Sequence, residues 1–202
     1  MASKVERMTL PPAVAVYVNV FKARPPLQEG QDPKFQVVLL FPKATAKKAL
    51  AELEAKALEV AEAQWPRKGA ETLKKMRYPL VGDGDERYPE DPVFKGMAFV
   101  RASSTGQPYA TNAAVDAEFP PPTPGAKNPR TGVELRALTE EELYSGCTVK
   151  AAVALFPFDK AGNRGVGLGL NAVQVVKRGT RLDGRRSAVE TFEAVDEEED
   201  LV

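Results

Sequence analysis

The feature that most constrains this chain is a pair of long alternating segments joined by a short turn. Residues 145–158, SGCTVKAAVALFPF, place Cys147, Val149, Ala151, Val153 and Leu155 on one face and Thr148, Lys150, Ala152, Ala154 and Phe156 on the other. Period-two alternation is what a half-buried strand requires, because successive side chains point to opposite faces. DKAGN, residues 159–163, then turns the chain into residues 164–176, so the two strands form a hairpin closed by a short Gly-containing loop. In its second strand Gly165, Gly167 and Gly169 fall on one face and Val166, Leu168 and Leu170 on the other.

A hairpin of this length needs further strands to cover its apolar face. Residues 13–21, AVAVYVNVF, alternate with Val14, Val16, Val18 and Val20 on a face expected to be core and Tyr17, Asn19 and Phe21 on the other; Arg24, Pro25 and Pro26 end the run. Residues 35–41, FQVVLLF, read as a mostly buried strand paired with it through a long loop. Residues 94–103 give another, with Met97, Phe99, Arg101 and Ser103 outward and Ala98, Val100 and Ala102 inward.

Residues 43–65 form the one clear helix, with Leu50, Leu53, Ala57, Val60 and Gln64 spaced three and four apart, Thr45 as the expected cap and Pro66 beyond the end. Its outer face carries opposite-sign pairs such as Glu52 with Lys56, which suits a solvated scaffold. Residues 77–92 read as a loop rich in Gly, Pro and acids, and residues 119–129 as a proline-rich exposed spacer. Five strands, one helix and no internal repeat predict a mainly β fold: an OB-fold-like five-stranded Greek-key barrel with an inserted helix and long loops.

Composition narrows the function. At 202 residues, 43% hydrophobic and 28% charged, the chain suits one globular domain, expected over residues 1–189, with a tail over 190–202. No apolar run is long enough to span a bilayer, and the N-terminus lacks the apolar stretch of a secretory signal, so a cytoplasmic location is expected. The chain has no histidine and a single cysteine, Cys147, which removes the commonest general base, the commonest transition-metal ligand and any internal disulfide. No catalysis, cofactor or metal is therefore expected. The acids Asp83, Asp85, Glu86, Glu90 and Asp91 are the one imaginable Mg²⁺ site of a nuclease or resolvase, but their spacing matches no metal loop and a solvated turn explains them equally well.

Lys and Arg number 28, as do Asp and Glu, yet the charges are not evenly spread. Residues 190–202 hold seven acids and no base: Glu190, Glu193, Asp196, Glu197, Glu198, Glu199 and Asp200. The rest carries 28 minus 21, or +7. A basic body with an acidic tail fits a polyanion binder whose tail imitates the polyanion. The basic run Lys177, Arg178, Arg181, Arg185 and Arg186 is either a docking place for that tail or part of the polyanion path.

Binding single strands without sequence preference needs cations along the phosphates and flat side chains on which bases stack. Opposite the proposed core faces lie Tyr17 and Phe21, then Phe99 and Arg101, then Lys150 and Phe156, with Lys22, Arg24, Tyr109, Phe158 and Arg164 near strand ends. Some of these aromatics could instead cover a second core, and recurrence on three strands favours binding. The bare glycine face either lets the sheet bend tightly or lets a nucleic-acid backbone approach.

The hairpin as a whole, YSGCTVKAAVALFPFDKAGNRGVGLGLNAVQVVKRG followed by LDGR, resembles a family of tailed-phage single-stranded DNA-binding proteins, and FQVVLLFPK, PLVGDGDE and FVRASS extend the likeness from about Phe35 to Phe192. The resemblance implies an oligonucleotide-binding fold, coating of single strands during phage replication or recombination in an infected bacterium, and an acidic tail that weakens DNA binding and contacts replication proteins. Tyr144, Lys150, Phe156, Asn163, Gly165, Gly167, Gly169, Asn171 and Gln174 match the family pattern by position. Arg101 and Ser103 depart from it, standing where Asn and Lys are expected, and Leu201 and Val202 replace an aromatic terminus. Duplex DNA is a second candidate partner, since a basic groove attracts its phosphates as well, a homodimer through tail exchange stays open, and a phage assembly or scaffold protein is the other alternative.

Overall fold

A computed structural model of the chain describes residues 5–26, 32–111, 137–160, 163–182 and 184. The proline-rich spacer, Arg185, Arg186 and the acidic tail lie outside the described residues. In chain order the elements are β1 (Glu6–Arg24), β2 (Lys34–Pro42), α1 (Lys43–Gln64), α2 (Gly69–Lys74), β3 (Val81–Asp83), α3 (Gly84–Arg87), a 3-10 turn (Pro92–Phe94), β4 (Met97–Ser104), β5 (Tyr109–Thr111), β6 (Thr148–Lys160) and β7 (Asn163–Lys177).

Five of these strands close a barrel. β4, β2, β1, β6 and β7 pair antiparallel in that order, and β7 returns to β4 through the parallel pair Ser103 with Gly169. Three consecutive antiparallel strands followed by a hairpin whose last strand returns parallel to the third is the oligonucleotide-binding arrangement. The short β3 lies beside β4, and β5 runs parallel beside β7. Val37, Leu39, Val100, Val149, Val153, Leu155 and Val166 fill the interior, and α1 adds Leu50, Leu53, Ala57 and Val60 to the same cluster.

The inward alternation predicted for β4 and β6 holds, but β1 does not keep a single valine face. Ala13 and Ala15 face the barrel core while Val14 and Val16 face outward. Between the pairs Val16 with Val38 and Asn19 with Gln36, β1 carries one residue more than β2. That bulge inverts the side-chain parity, so Val20 returns to the main core. β1 also begins earlier than the alternation indicates, and its register slips where Pro11 and Pro12 interrupt the ladder with β6.

Thr45 is not the helix cap. α1 starts directly after Pro42, with no side-chain cap; the Thr45 hydroxyl donates to the Pro42 carbonyl at 3.5 Å and the Lys43 amide donates to the Gly96 carbonyl. Gln64 is exposed. Lys56 reaches across to Glu6 of β1, Nζ to Oε1 3.1 Å, so it ties helix to barrel rather than serving only the helix surface. Phe94 belongs to the 3-10 turn, and residues 77–92 contain β3 and α3 rather than a plain loop.

Candidate nucleic-acid interface

The β1 bulge builds the first part of the site. Tyr17 sits at its centre with φ of 49°, a left-handed conformation unusual for a bulky residue, and its carbonyl accepts from Asn19 Nδ2 at 2.9 Å. Its side chain is 50% exposed. Beside it a groove of about 590 Å³ runs along β1, lined by Phe21 and Lys22 on one side and Leu143, Tyr144 and Leu182 on the other. Asp91 and Glu140 also reach the groove, so its charge is mixed. Three of the predicted residues, Tyr17, Phe21 and Lys22, therefore meet in one concavity.

The groove wall is held by the segment following β7. The Tyr144 hydroxyl donates to the Gly179 carbonyl at 3.0 Å, the Arg181 guanidinium carbon lies 4.1 Å from the Tyr144 ring centroid, and the Leu182 amide donates to Ser145 O at 2.9 Å. Arg178 pairs with Glu142 at 3.3 Å. Burial holds the Tyr144 phenol above its ordinary pKa. Of the basic run, Arg178 and Arg181 are thus engaged with the 141–145 loop.

The hairpin supplies a second group and explains the bare glycines. Phe156 stands directly opposite Gly167 and Phe158 opposite Gly165. A Cβ on Gly167 would lie 2.9 Å from Phe156 Cζ; one on Gly165 would lie 2.8 Å from Met76 Cγ and 3.0 Å from Phe158 Cζ. Gly165 and Gly167 are covered by aromatic rings, so that part of the glycine face is not bare. Phe156 remains 39% exposed and Phe158 half-buried. Lys150 is half-buried opposite Gln174. Arg164 is exposed, with Nε 2.7 Å from its cross-strand neighbour Asp159. At the far end of β1 Arg24 faces Lys34 directly, a like-charge pair that a phosphate would relieve. Tyr109 lies apart on β5, paired with Ala172 of β7.

Phe99 requires correction. Only 6% of it is exposed: its ring lies against Gly82 of β3 and packs with Val38, Leu40 and Phe94 in a second cluster outside the barrel. Residues 84–94 cover it, with the Tyr88 centroid 5.5 Å and the Phe94 centroid 5.8 Å away. No face is left for a base. Arg101 is exposed and sits 5.0 Å above the Phe99 ring while donating to the Tyr88 hydroxyl.

A group missed in the sequence lies beside Arg101. Tyr78, 46% exposed, has the guanidinium carbons of Arg77, Arg87 and Arg101 at 5.4, 5.5 and 5.9 Å from its ring centroid. The available signal was the tripeptide Arg-Tyr-Pro, present twice, at 77–79 and 87–89.

Three of the acids considered for a metal, Asp83, Asp85 and Asp91, have structural partners. Asp83 accepts from the amides of Asp85 and Glu86, Asp85 from that of Gly96, and Asp91 from that of Val93. Lys43 Nζ bonds Asp83 at 2.5 Å and Asp85 at 2.7 Å, which holds both carboxyls below their ordinary pKa and raises that of Lys43. Among the described residues no group of three or more acids, His or Cys is arranged to hold a metal ion, and no helix is long and apolar enough to cross a membrane.

Residues 12–202 match the family model described as Enterobacter phage Enc34, ssDNA-binding protein. No curated protein matches the chain. Among solved structures it is similar to the single-stranded DNA-binding protein from bacteriophage Enc34 in complex with ssDNA, with TM-score 0.65 and 20% identity over 87% of this chain and 89% of that one. A further structure of the single-stranded DNA-binding protein from bacteriophage Enc34 aligns at TM-score 0.60 and 19% identity over 93% of this chain and 90% of that one. The single-stranded DNA-binding protein encoded by bacteriophage T7 aligns at 0.51 and 14% over 96% and 97%.

Proposed function

The chain belongs to the Enterobacter phage Enc34 ssDNA-binding protein family, and from that premise we propose that it coats single-stranded DNA, without reading its sequence, during phage DNA replication and recombination. The family is a class of binding proteins, not enzymes. The observation that carries the reading is Tyr17, a half-exposed ring kept on left-handed backbone beside a groove that also holds Phe21 and Lys22. Such a conformation costs about 1–3 kcal/mol for a residue other than glycine and recurs at ligand sites. A base stacked on the ring returns roughly 1–3 kcal/mol, with little dependence on which base it is. Phe156, Lys150, Arg24, Arg101 and Arg164 extend the stacking and phosphate contacts, and duplex DNA binds more weakly because its bases are not free to stack.

Residues 1–189 act as the binding domain and residues 190–202 as a competitor for it. Leu182 lies in the groove wall. Glu190 follows eight positions later, a contour of at most about 28 Å. Seven acids on that tether compete with phosphate for the basic surface and, when DNA displaces them, recruit phage replication proteins in the cytoplasm of the infected host. Exchange of tails between protomers would make a homodimer by the same contacts.

The test is anisotropy of labelled single-stranded, duplex and RNA oligomers across a salt series, for the full chain, a version ending at Ala188, and Tyr17→Gly. Single strands bind most tightly, affinity falls steeply with salt and truncation raises it. Tyr17→Gly relieves the backbone constraint and leaves stability within about 1 kcal/mol of the parent, yet weakens binding roughly 5- to 150-fold. An unchanged affinity after truncation removes the competing tail from the proposal. No affinity for single strands at low salt replaces the whole reading with that of an assembly protein.

A further inference from the structure

The two exposed tyrosines are the ends of one chain of ring contacts. Tyr17 lies 6.4 Å from Phe94, Phe94 5.8 Å from Phe99, the Arg101 guanidinium 5.0 Å from Phe99 and 5.9 Å from Tyr78. Tyr17 and Tyr78 are therefore at most about 23 Å apart, and the rings between them are covered. At the Tyr78 end three guanidinium groups converge on one ring. Among the described residues none of these arginines is ion-paired with a carboxylate. Three like charges paired with no described carboxylate, around a ring with open surface, are matched by a ligand offering both an anion and a flat face.

Resting on the single-strand reading above, we infer that Tyr78 with Arg77, Arg87 and Arg101 is a second nucleotide-binding point on the same DNA track, the base resting on the ring and the flanking phosphates on the guanidinium groups. A carboxylate-rich peptide such as the chain's own tail would satisfy the charges and leave the ring unused, which is why a nucleotide is the better match. Arg101 joins the point to the outer face of β4, where Ser103 meets Gly169 of the hairpin. The strand thus runs from the Tyr17 groove past the lid formed by residues 84–94 to Tyr78.

The experiment uses the full chain, its Arg77→Gln/Arg87→Gln and Tyr78→Ala variants, and oligothymidylates of about 4 and about 16 nucleotides, the ends of the site-size range for this fold. On the longer oligomer the double variant lowers the slope of log affinity against log salt by about 1.4, at roughly 0.7 per phosphate contact. Tyr78→Ala weakens the same complex about 5- to 150-fold with the slope kept. Both variants bind the shorter oligomer like the parent, because it fits the Tyr17 groove alone. Parent-like binding of the longer oligomer by both variants, with Tyr17→Gly still weakened, overturns the inference and leaves the single-strand reading intact. Tighter binding by the double variant that disappears when the chain ends at Ala188 also overturns it, assigning the cluster to the tail. Failure of the parent chain to bind either oligomer removes the reading on which the inference rests.

Discussion

Phe99 and Phe156 occupy the same kind of position and have different fates. Each points outward from a barrel strand and stands directly opposite a glycine, Gly82 and Gly167 respectively. Phe99 is 6% exposed and Phe156 39%. The difference comes from elsewhere in the chain: Tyr88 and Phe94 lie over Phe99, on a segment fastened by Lys43 to Asp83 and Asp85 and closed by the Asp85 contact to the Gly96 amide. A strand's alternation decides which face a ring is on. Whether that face is covered depends on a segment that the alternation does not describe.

Phe99→Ala should show the largest effect. Removing a ring packed with Val38, Leu40 and Phe94 leaves a cavity and costs about 3–5 kcal/mol of stability, read by urea denaturation, while affinity of the folded protein for single strands stays close to the parent's. Phe156→Ala should do the converse. We expect little change in the urea midpoint and a loss of about 1–3 kcal/mol in affinity by anisotropy, as for one stacked base. If Phe156→Ala instead unfolds the protein as readily as Phe99→Ala, the two positions are both core and the comparison collapses.

The smallest effect concerns the fastening of the lid. Hydrogen bonds from Lys43 hold Asp83 and Asp85 below the ordinary 3.8. Their contribution to stability is complete above that value and is lost as pH falls through the lowered one. Lys43 has its pKa raised above 10.5 by the same bonds, so its share is present below 10.5 and disappears as pH rises past the raised value. In thermal melts Lys43→Met should lower stability modestly near neutral pH and flatten the loss below pH 3.8. An acid limb as steep as the parent's would show that other carboxylates govern it.

Much of the fold was legible because it rests on local periodicity. All five barrel strands, the inward faces of β4, β6 and β7, and the apolar stripe of α1 follow from spacing alone. The misreadings have physical causes. One extra residue at Tyr17 inverted β1, since a period of two carries no memory across a bulge. Thr45 was placed as a cap because capping residues usually open helices, whereas here a strand runs straight into α1 at Pro42. The short β3, α2, α3 and β5 span too few residues to show any period.

The binding surface divides in the same way. The sequence alone determined which residue types are available, that the body is basic and residues 190–202 acidic, and that Lys150 and Phe156 lie away from the inward-facing positions of their strand. Only the tertiary structure decided that Phe99 is covered, that Tyr17 borders a groove with Tyr144, and that Arg77, Arg87 and Arg101 meet around Tyr78. The reason is that exposure and convergence belong to contacts between separate elements, which the period of a single strand or helix does not describe.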